Sequence, residues 1–304
     1  MTNSLWLITD GKPGHRAQLR GLAERLGTLS RVAPVWIHTN DCRLPWWRTR
    51  PQPLPDVAAP ALIIGAGRRT HRLLLALSRQ YRVPAVVLMR PARPLWQFDA
   101  AIIPAHDRPP KRDTILVTEG VLNDVHPVTE LTRDKSGLIL VGGHSRHYRW
   151  EELSIHEQIL AITDQYPDWQ WLTCDSRRTP ESLLESLRDD APENLQLHPH
   201  TDTPEGWVRD RLSRSRTVWV TPDSVSMVFE ALTAGVPTGL LSLPVKRKGR
   251  IPETMQRLID TGHVTAWPKA PESANPPPRL WEADRAARWL IQRFPDQLPP
   301  RDDC

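Results

Sequence analysis

Short apolar runs alternate with helix-period stretches along the whole chain, and this alternation restricts the fold more than any other feature. "SLWLIT" (4–9) reads as a buried strand. Leu19, Leu22, Ala23 and Leu26 then recur at i, i+3, i+4 and i+7, the apolar stripe of a helix. "VAPVWIH" (32–38), "ALIIGAG" (61–67), "VPAVVLM" (83–89), "FDAAIIP" (98–104) and "TILVTEG" (114–120) follow as strands. A helix is predicted over 68–80 and a Pro-rich loop over 41–60. The polar stretch 123–137 reads as a linker, after which the alternation restarts. "LILVGG" (138–143), "WQWLTC" (169–174), "LQLHPH" (195–200), "TVWVTP" (217–222), "PTGLLSLP" (237–244) and "HVTAW" (263–267) are strands. Helices over 151–165, 180–189, 204–214, 224–234 and 252–261 separate them.

Two successive runs of alternating strand and helix predict an α/β chain of two Rossmann-like, doubly wound parallel-sheet domains. A length of 304 residues suits two cores better than one. The expected boundaries are an N-terminal domain over 1–125, a C-terminal domain over 136–275 and a tail over 276–304. The tail carries one more helix, about 280–294, with Leu280, Ala283, Ala287, Ile291 and Phe294 on one face. It is expected to pack back onto the first domain. Ligands of such sheets bind outside the C-terminal strand ends, and with two domains the natural site is the cleft between them.

Composition narrows the function classes. The net charge of +5 comes from Lys and Arg residues spread along the chain, with no block of like charge, so nucleic acid is not an expected partner. Cys42, Cys174 and Cys304 are odd in number and far apart, which fits a reducing cytoplasm rather than a disulfide framework or a zinc site. "MTNSLWLITD" lacks a charged start followed by a long apolar stretch, and no apolar run approaches a membrane span. Thirteen Trp against three Phe and three Tyr has no explanation at the level of sequence.

The chemistry-bearing residues fall at strand tips. In "TDGKPGH" (9–15), Gly11 and Gly14 let the backbone turn tightly and approach a ligand, with Asp10 and Lys12 beside them. A helix N-terminus follows, and His15 within it is a candidate general base with Asp10 as its catalytic companion. The plain alternative is an ordinary strand-to-helix turn. "GAGRRTH" (65–71) places Arg68 and Arg69 at another tip of the same domain. In "VTPDSVSMVFEALTAGVP" (220–237), Asp223 or Ser224 is expected to cap the next helix. Ser226 is expected to approach a diphosphate there, and Glu230, one turn further on the same face, is expected to take both hydroxyls of a ribose. Gly235 reads as the residue that ends that helix. "GGHSRHY" (142–148) and "CDSRRTP" (174–180) add Gly142, Gly143, Ser145, Arg146, Arg177 and Arg178 on the same rim, where arginine forks match phosphate oxygens. The plain alternatives are a capped helix with an exposed glutamate and a solvated arginine pair. No Asp-x-Asp occurs, and His144, His147, His198 and His200 lack a partner set, so no metal is expected.

At these residues the chain resembles the mitochondrial-fission "elongated mitochondria" family, whose bacterial members are classed with glycosyltransferases. The shared signatures are "DGKPGH", "GAGRRT", "FDAAIIPAHD", "VTEGVLNDV", "GGHSRHYRW", "SRRTP" and "DSVSMVFEALTAGVP", in order from residue 10 to about 240. The resemblance implies a glycosyltransferase-B type fold, with the nucleotide-sugar donor on the C-terminal domain and the acceptor on the N-terminal one. The Ser–x3–Glu–Ala–x3–Gly–x–Pro run is also similar to the donor motif of the UDP-N-acetylglucosamine transferase of peptidoglycan synthesis. This chain departs from that enzyme in starting the run with "TPDS", and from the family's commoner "QDPR" in reading "RPARPLW" at 90–96.

The leading expectation is a metal-independent glycosyltransferase with no cofactor and a nucleoside-diphosphate sugar as substrate. Its expected acceptor is a cell-envelope glycolipid, met peripherally at the cytoplasmic face of the membrane, with "PWWRTR" (45–50) as a docking segment or a buried loop. The competing readings are a non-catalytic membrane- or partner-binding protein on the same fold, and a nucleotide-sugar hydrolase or epimerase.

Overall fold

The computed structural model describes residues 2–42, 44, 51, 57–271 and 280–301, so "PWWRTR" and Cys304 lie outside the described residues. The chain divides into two compact units. The first runs to Asp124 and is rejoined by the chain from Trp281 onward; the second is Val125–Leu280.

The first unit is built on β1 (Asn3–Thr9), α1 (Pro13–Leu29), β2 (Val32–His38), β3 (Pro60–Ala66), α2 (His71–Tyr81), β4 (Ala85–Leu88), β5 (Ala100–Pro104) and β6 (Ile115–Thr118). Its six strands are parallel, in the order β2-β1-β3-β4-β5-β6. Side chains along a strand alternate between faces, and here both faces are covered. Leu5 and Leu7 join one core with Leu19, Leu22 and Leu26 of α1. Trp6 and Ile8 join the other with Leu73, Leu74 and Leu77 of α2. That two-sided burial is why β1 reads as an unbroken apolar run.

The second unit repeats the plan with β7 (Ser136–Leu140), α3 (Glu152–Gln165), β8 (Gln170–Cys174), α4 (Glu181–Asp190), β9 (Leu195–His198), α5 (Trp207–Ser213), β10 (Thr217–Val220), α6 (Val225–Ala234), β11 (Thr238–Leu240), α7 (Arg250–Asp260) and β12 (Thr265–Ala266). The sheet order is β12-β11-β10-β7-β8-β9, again all parallel. Gly235 ends α6 in the left-handed conformation, φ 77°, and its N–H donates to the Ala231 carbonyl.

Part of the tryptophan usage now has a packing reason. Trp171 on β8 lies beside Gly137 on β7, and Trp219 on β10 lies beside Gly239 on β11. A Cβ at either glycine would overlap the neighbouring indole ring. Gly239→Ala is therefore expected to cost about 1–3 kcal/mol by overpacking, read as a lower midpoint in denaturant unfolding.

α8 (Glu282–Arg293) closes the first unit by packing Ala286, Ala287 and Leu290 into the α1 side of its core. Two arginines hold its start: Arg25 of α1 and Arg288 (2.9 Å) both bind Asp284. Burial raises the Asp284 carboxyl, but the hydrogen bonds and charges of Arg288 and Arg25 outweigh it and hold the group below its ordinary value. A depressed carboxylate stabilises the fold fully above its unfolded pKa, and the contribution is lost as pH falls through the lower folded one. Acidification below about pH 4 should thus loosen the α1–α8 contact. Asp284→Asn should flatten the fall of the melting temperature in that range. Among the described residues, no helix is long and apolar enough to cross a membrane.

Candidate active site

Each sheet reverses its winding at one strand, and the candidate residues collect there. In the first unit β1 lies between β2 and β3, with α1 and α2 on opposite faces. The crevice at such a reversal is where open α/β sheets bind ligands.

Asp10 follows β1 directly. Its side chain is 2% exposed, and Oδ1 lies 2.7 Å from Nδ1 of His15 in the first turn of α1. The Lys12 backbone N–H also donates to Oδ1 (3.3 Å). Burial alone would raise the Asp10 carboxyl, but the hydrogen bond and charge of His15, then the N–H and charge of Lys12, hold it below its ordinary value. Asp10 is thus an ionised acceptor at neutral pH. It orients the Nδ1–H of His15 and leaves Nε2 as the basic nitrogen.

A glycine outside this turn makes room for the pair. Gly67, on the β3–α2 turn, has φ +95°, and a Cβ there would overlap the His15 ring and stand 2.9 Å from Asp10 Oδ2. Gly11 has φ +80° and packs against His38, whose Nε2 would be 2.7 Å from an added Cβ. Gly14 departs from expectation. It lies inside α1 with open space around it, so the tight turn is made by Gly11 alone. Lys12 is the exposed N-cap residue of α1, and Arg68 and Arg69 are exposed on the β3–α2 turn.

In the second unit β7 lies between β10 and β8. The Gly142 N–H donates to Thr221 Oγ1 (2.7 Å), and the Gly143 N–H donates to Asp223 Oδ2 (3.0 Å). Asp223 is enclosed, and its Oδ2 also accepts from Nη1 of the half-exposed Arg178 (2.7 Å). The same Nη1 reaches the His144 carbonyl (3.2 Å). A Cβ on Gly142 would overlap the Asp223 carboxylate, and one on Gly143 the Arg178 carbonyl. The glycine pair therefore accommodates the Arg178–Asp223 clamp.

The expected helix cap is not formed. Ser224 is the N-cap residue of α6 but makes no side-chain bond to it, and Asp223 points to Gly143 and Arg178. A guanidinium compensates a buried carboxylate better than one amide N–H does. Ser145 Oγ accepts the N–H groups of His147 (3.2 Å) and Tyr148 (3.1 Å), which fixes its own turn. Arg146 and Arg177 are exposed, as is Ser226, and Glu230 is half-buried one turn along α6.

Two further groups stand out that the sequence did not single out. Gly67 is one. The other is Asp175 at the tip of β8, which accepts from the backbone N–H of His200 and pairs with its Nδ1 at 2.8 Å. His198 stacks on Trp207, with centroids 4.6 Å apart. Among the described residues, no three or more His, Cys, Asp and Glu side chains gather as a metal site.

Residues 13–294 match the sequence family described as mitochondrial fission ELM1. The chain belongs to the ELM1 family. An uncharacterized Rickettsia prowazekii protein, RP120, is 23% identical to this ELM1 chain over 291 residues, 77% of this chain and 82% of that protein. Among solved structures, the UDP-GlcNAc 2-epimerase of Methanocaldococcus jannaschii superposes with a TM-score of 0.55 at 14% identity, over 96% of this chain and 100% of that one. The Neisseria meningitidis UDP-GlcNAc 2-epimerase, solved bound to UDP-GlcNAc, gives 0.52 at 13% identity, over 97% and 100%. The glycotransferase of kitacinnamycin gives 0.52 at 12% identity, over 98% and 100%. These likenesses establish the fold: this ELM1 chain has the glycosyltransferase-B type plan of two Rossmann-like units.

Proposed function

We propose that this ELM1-family chain transfers a sugar from a nucleoside-diphosphate sugar to an acceptor hydroxyl, without a metal ion. The observation that carries the reading is the base. His15 is fixed through Nδ1 by a buried, ionised Asp10 at the β1/β3 reversal, and its Nε2 is the free basic nitrogen. The acceptor oxygen attacks the anomeric carbon, the bond to the diphosphate breaks, and the nucleoside diphosphate leaves with the electron pair. The hydroxyl proton goes to His15 Nε2, and Asp10 stabilises the imidazolium that results. The sugar inverts.

The donor lies on the second unit. Glu230 accepts the ribose hydroxyls, and Ser224 and Ser226 stand by the diphosphate at the start of α6, where backbone N–H groups favour an anion. Arg178, anchored through Nη1 on Asp223, has Nε and Nη2 left to offset leaving-group charge, with Arg146 and Arg177 beside it. That the Neisseria meningitidis protein was solved bound to UDP-GlcNAc on the same fold supports a nucleotide sugar as the ligand. The acceptor lies on the first unit. We take it to be a cell-envelope glycolipid, reached from the cytoplasm at an anionic membrane face, which the net charge of +5 suits.

A thermal-shift panel of UDP-, GDP-, ADP- and CMP-sugars tests the donor assignment. One nucleotide should raise the melting temperature, since a ligand at a hundred times its Kd adds about 2.7 kcal/mol of stability. Glu230→Ala should abolish the rise. A flat response to all four nucleotides favours a non-catalytic partner-binding role instead. Release of free sugar from the bound donor without any acceptor favours hydrolysis.

A further inference from the structure

The β1/β3 reversal of the first unit carries more positive charge than a neutral acceptor requires. Lys12, Arg68, Arg69 and Arg93 are exposed, and among the described residues no carboxylate pairs with the three arginines. Arg68 and Arg69 lie on the β3–α2 turn, and Arg93 follows β4, the strand hydrogen-bonded to β3. Asp10, the acid that touches this turn, is buried and committed to His15. Both helices that start here, α1 and α2, have no side-chain cap and no acidic residue in the first turn. Their N-terminal N–H groups add to the positive potential.

His71 is a second observation at this corner. It is the first residue of α2, only 4% exposed, and its Nδ1 is buried without a hydrogen-bond partner. Phe98 packs edge-on against the ring, with centroids 5.7 Å apart. Burial, then the charges of Arg93, Arg68 and His15, pushes its pKa down, so the ring is neutral and shares this corner with the cations. A buried polar atom left unpaired needs a physical explanation, and an anion at this corner is one.

We infer that this corner binds a phosphate group of the acceptor, which is therefore a phosphate ester held by Arg68, Arg69 and Arg93 and by the open N-termini of α1 and α2. The inference rests on the first unit being the acceptor side and names the acceptor's chemical class. Arginine forks match phosphate oxygens bidentately, and the same anion supplies an acceptor for the imidazole N–H of His71.

The test uses the full chain at low ionic strength, where screening is weakest. Two probes separate the sources of phosphate: phenyl phosphate in solution, titrated by calorimetry, and phosphatidylcholine vesicles with and without phosphatidic acid, read by flotation. R68Q/R69Q is compared with R79Q/R188Q, which removes the same charge from exposed helix positions elsewhere. The expected result is binding of at least one probe, weakened about tenfold or more in R68Q/R69Q and retained in R79Q/R188Q. Binding of phenyl phosphate assigns a soluble phosphate ester. Binding of phosphatidic acid vesicles alone assigns a lipid headgroup. Failure of both probes, or equal loss in the two double variants, overturns the inference. A nucleotide-sugar response that persists when both probes fail leaves the donor reading standing, whereas phosphate binding without any nucleotide-sugar response keeps the phosphate site and removes its assignment to an acceptor.

Discussion

His15→Ala is expected to lower turnover by about 10²- to 10⁴-fold while leaving nucleotide affinity unchanged, the range that loss of a general base produces. The size follows from the construction of the pair. Asp10 is buried, ionised and 2.7 Å from Nδ1, so the ring is held in the tautomer that carries its proton on Nδ1 and leaves Nε2 as the acceptor. Asp10→Asn keeps the shape but replaces the carboxylate with an amide, which neither fixes that tautomer nor stabilises the imidazolium. Its turnover should fall by a comparable factor. Product formation measured under single-turnover conditions with saturating donor checks both. Normal turnover in His15→Ala removes the residue from the mechanism.

Gly67→Ala should be almost as damaging, although Gly67 carries no chemistry. Its φ of +95° is strained for any L side chain, and the new methyl group would overlap the His15 ring. Shifting that ring by about 1 Å is enough to lose about 10²-fold in rate. Gly14→Ala is the matched control. Gly14 lies in α1 with nothing near it, so alanine should leave turnover intact and stabilise the helix slightly. Steady-state rates and melting temperatures of the two variants decide the point. Equal loss in both would mean that the turn, and not the Asp10–His15 pair, is what the glycines protect.

The difference between these two glycines shows where sequence reading stops. The strands and helices were legible because both faces of each parallel sheet are covered, so β1 and β7 read as continuous apolar runs and α1 shows its stripe. Asp10 and His15 were legible as a pair because they share one short turn. Gly67 was not, because its neighbour in space comes from the turn after β1, and only the sheet order β2-β1-β3 brings the two turns together. The Asp175–His200 pair went unseen for the same reason, since it depends on β8 lying beside β9. In the second unit "GGHSRHY" and "SRRTP" looked like two ligand-facing tips. Their hydrogen bonds run largely to each other and to Asp223, because a buried carboxylate needs a guanidinium and amide donors.

The proposed division of labour between the two units is tested most directly by nucleotide affinity, measured by calorimetry on the wild-type chain, Glu230→Ala and His15→Ala with the nucleotide sugar that stabilises the fold. The predicted result is a loss of about tenfold or more for Glu230→Ala, as expected for hydrogen bonds to a charged group, and no change for His15→Ala. Affinity lost in His15→Ala and kept in Glu230→Ala would contradict it.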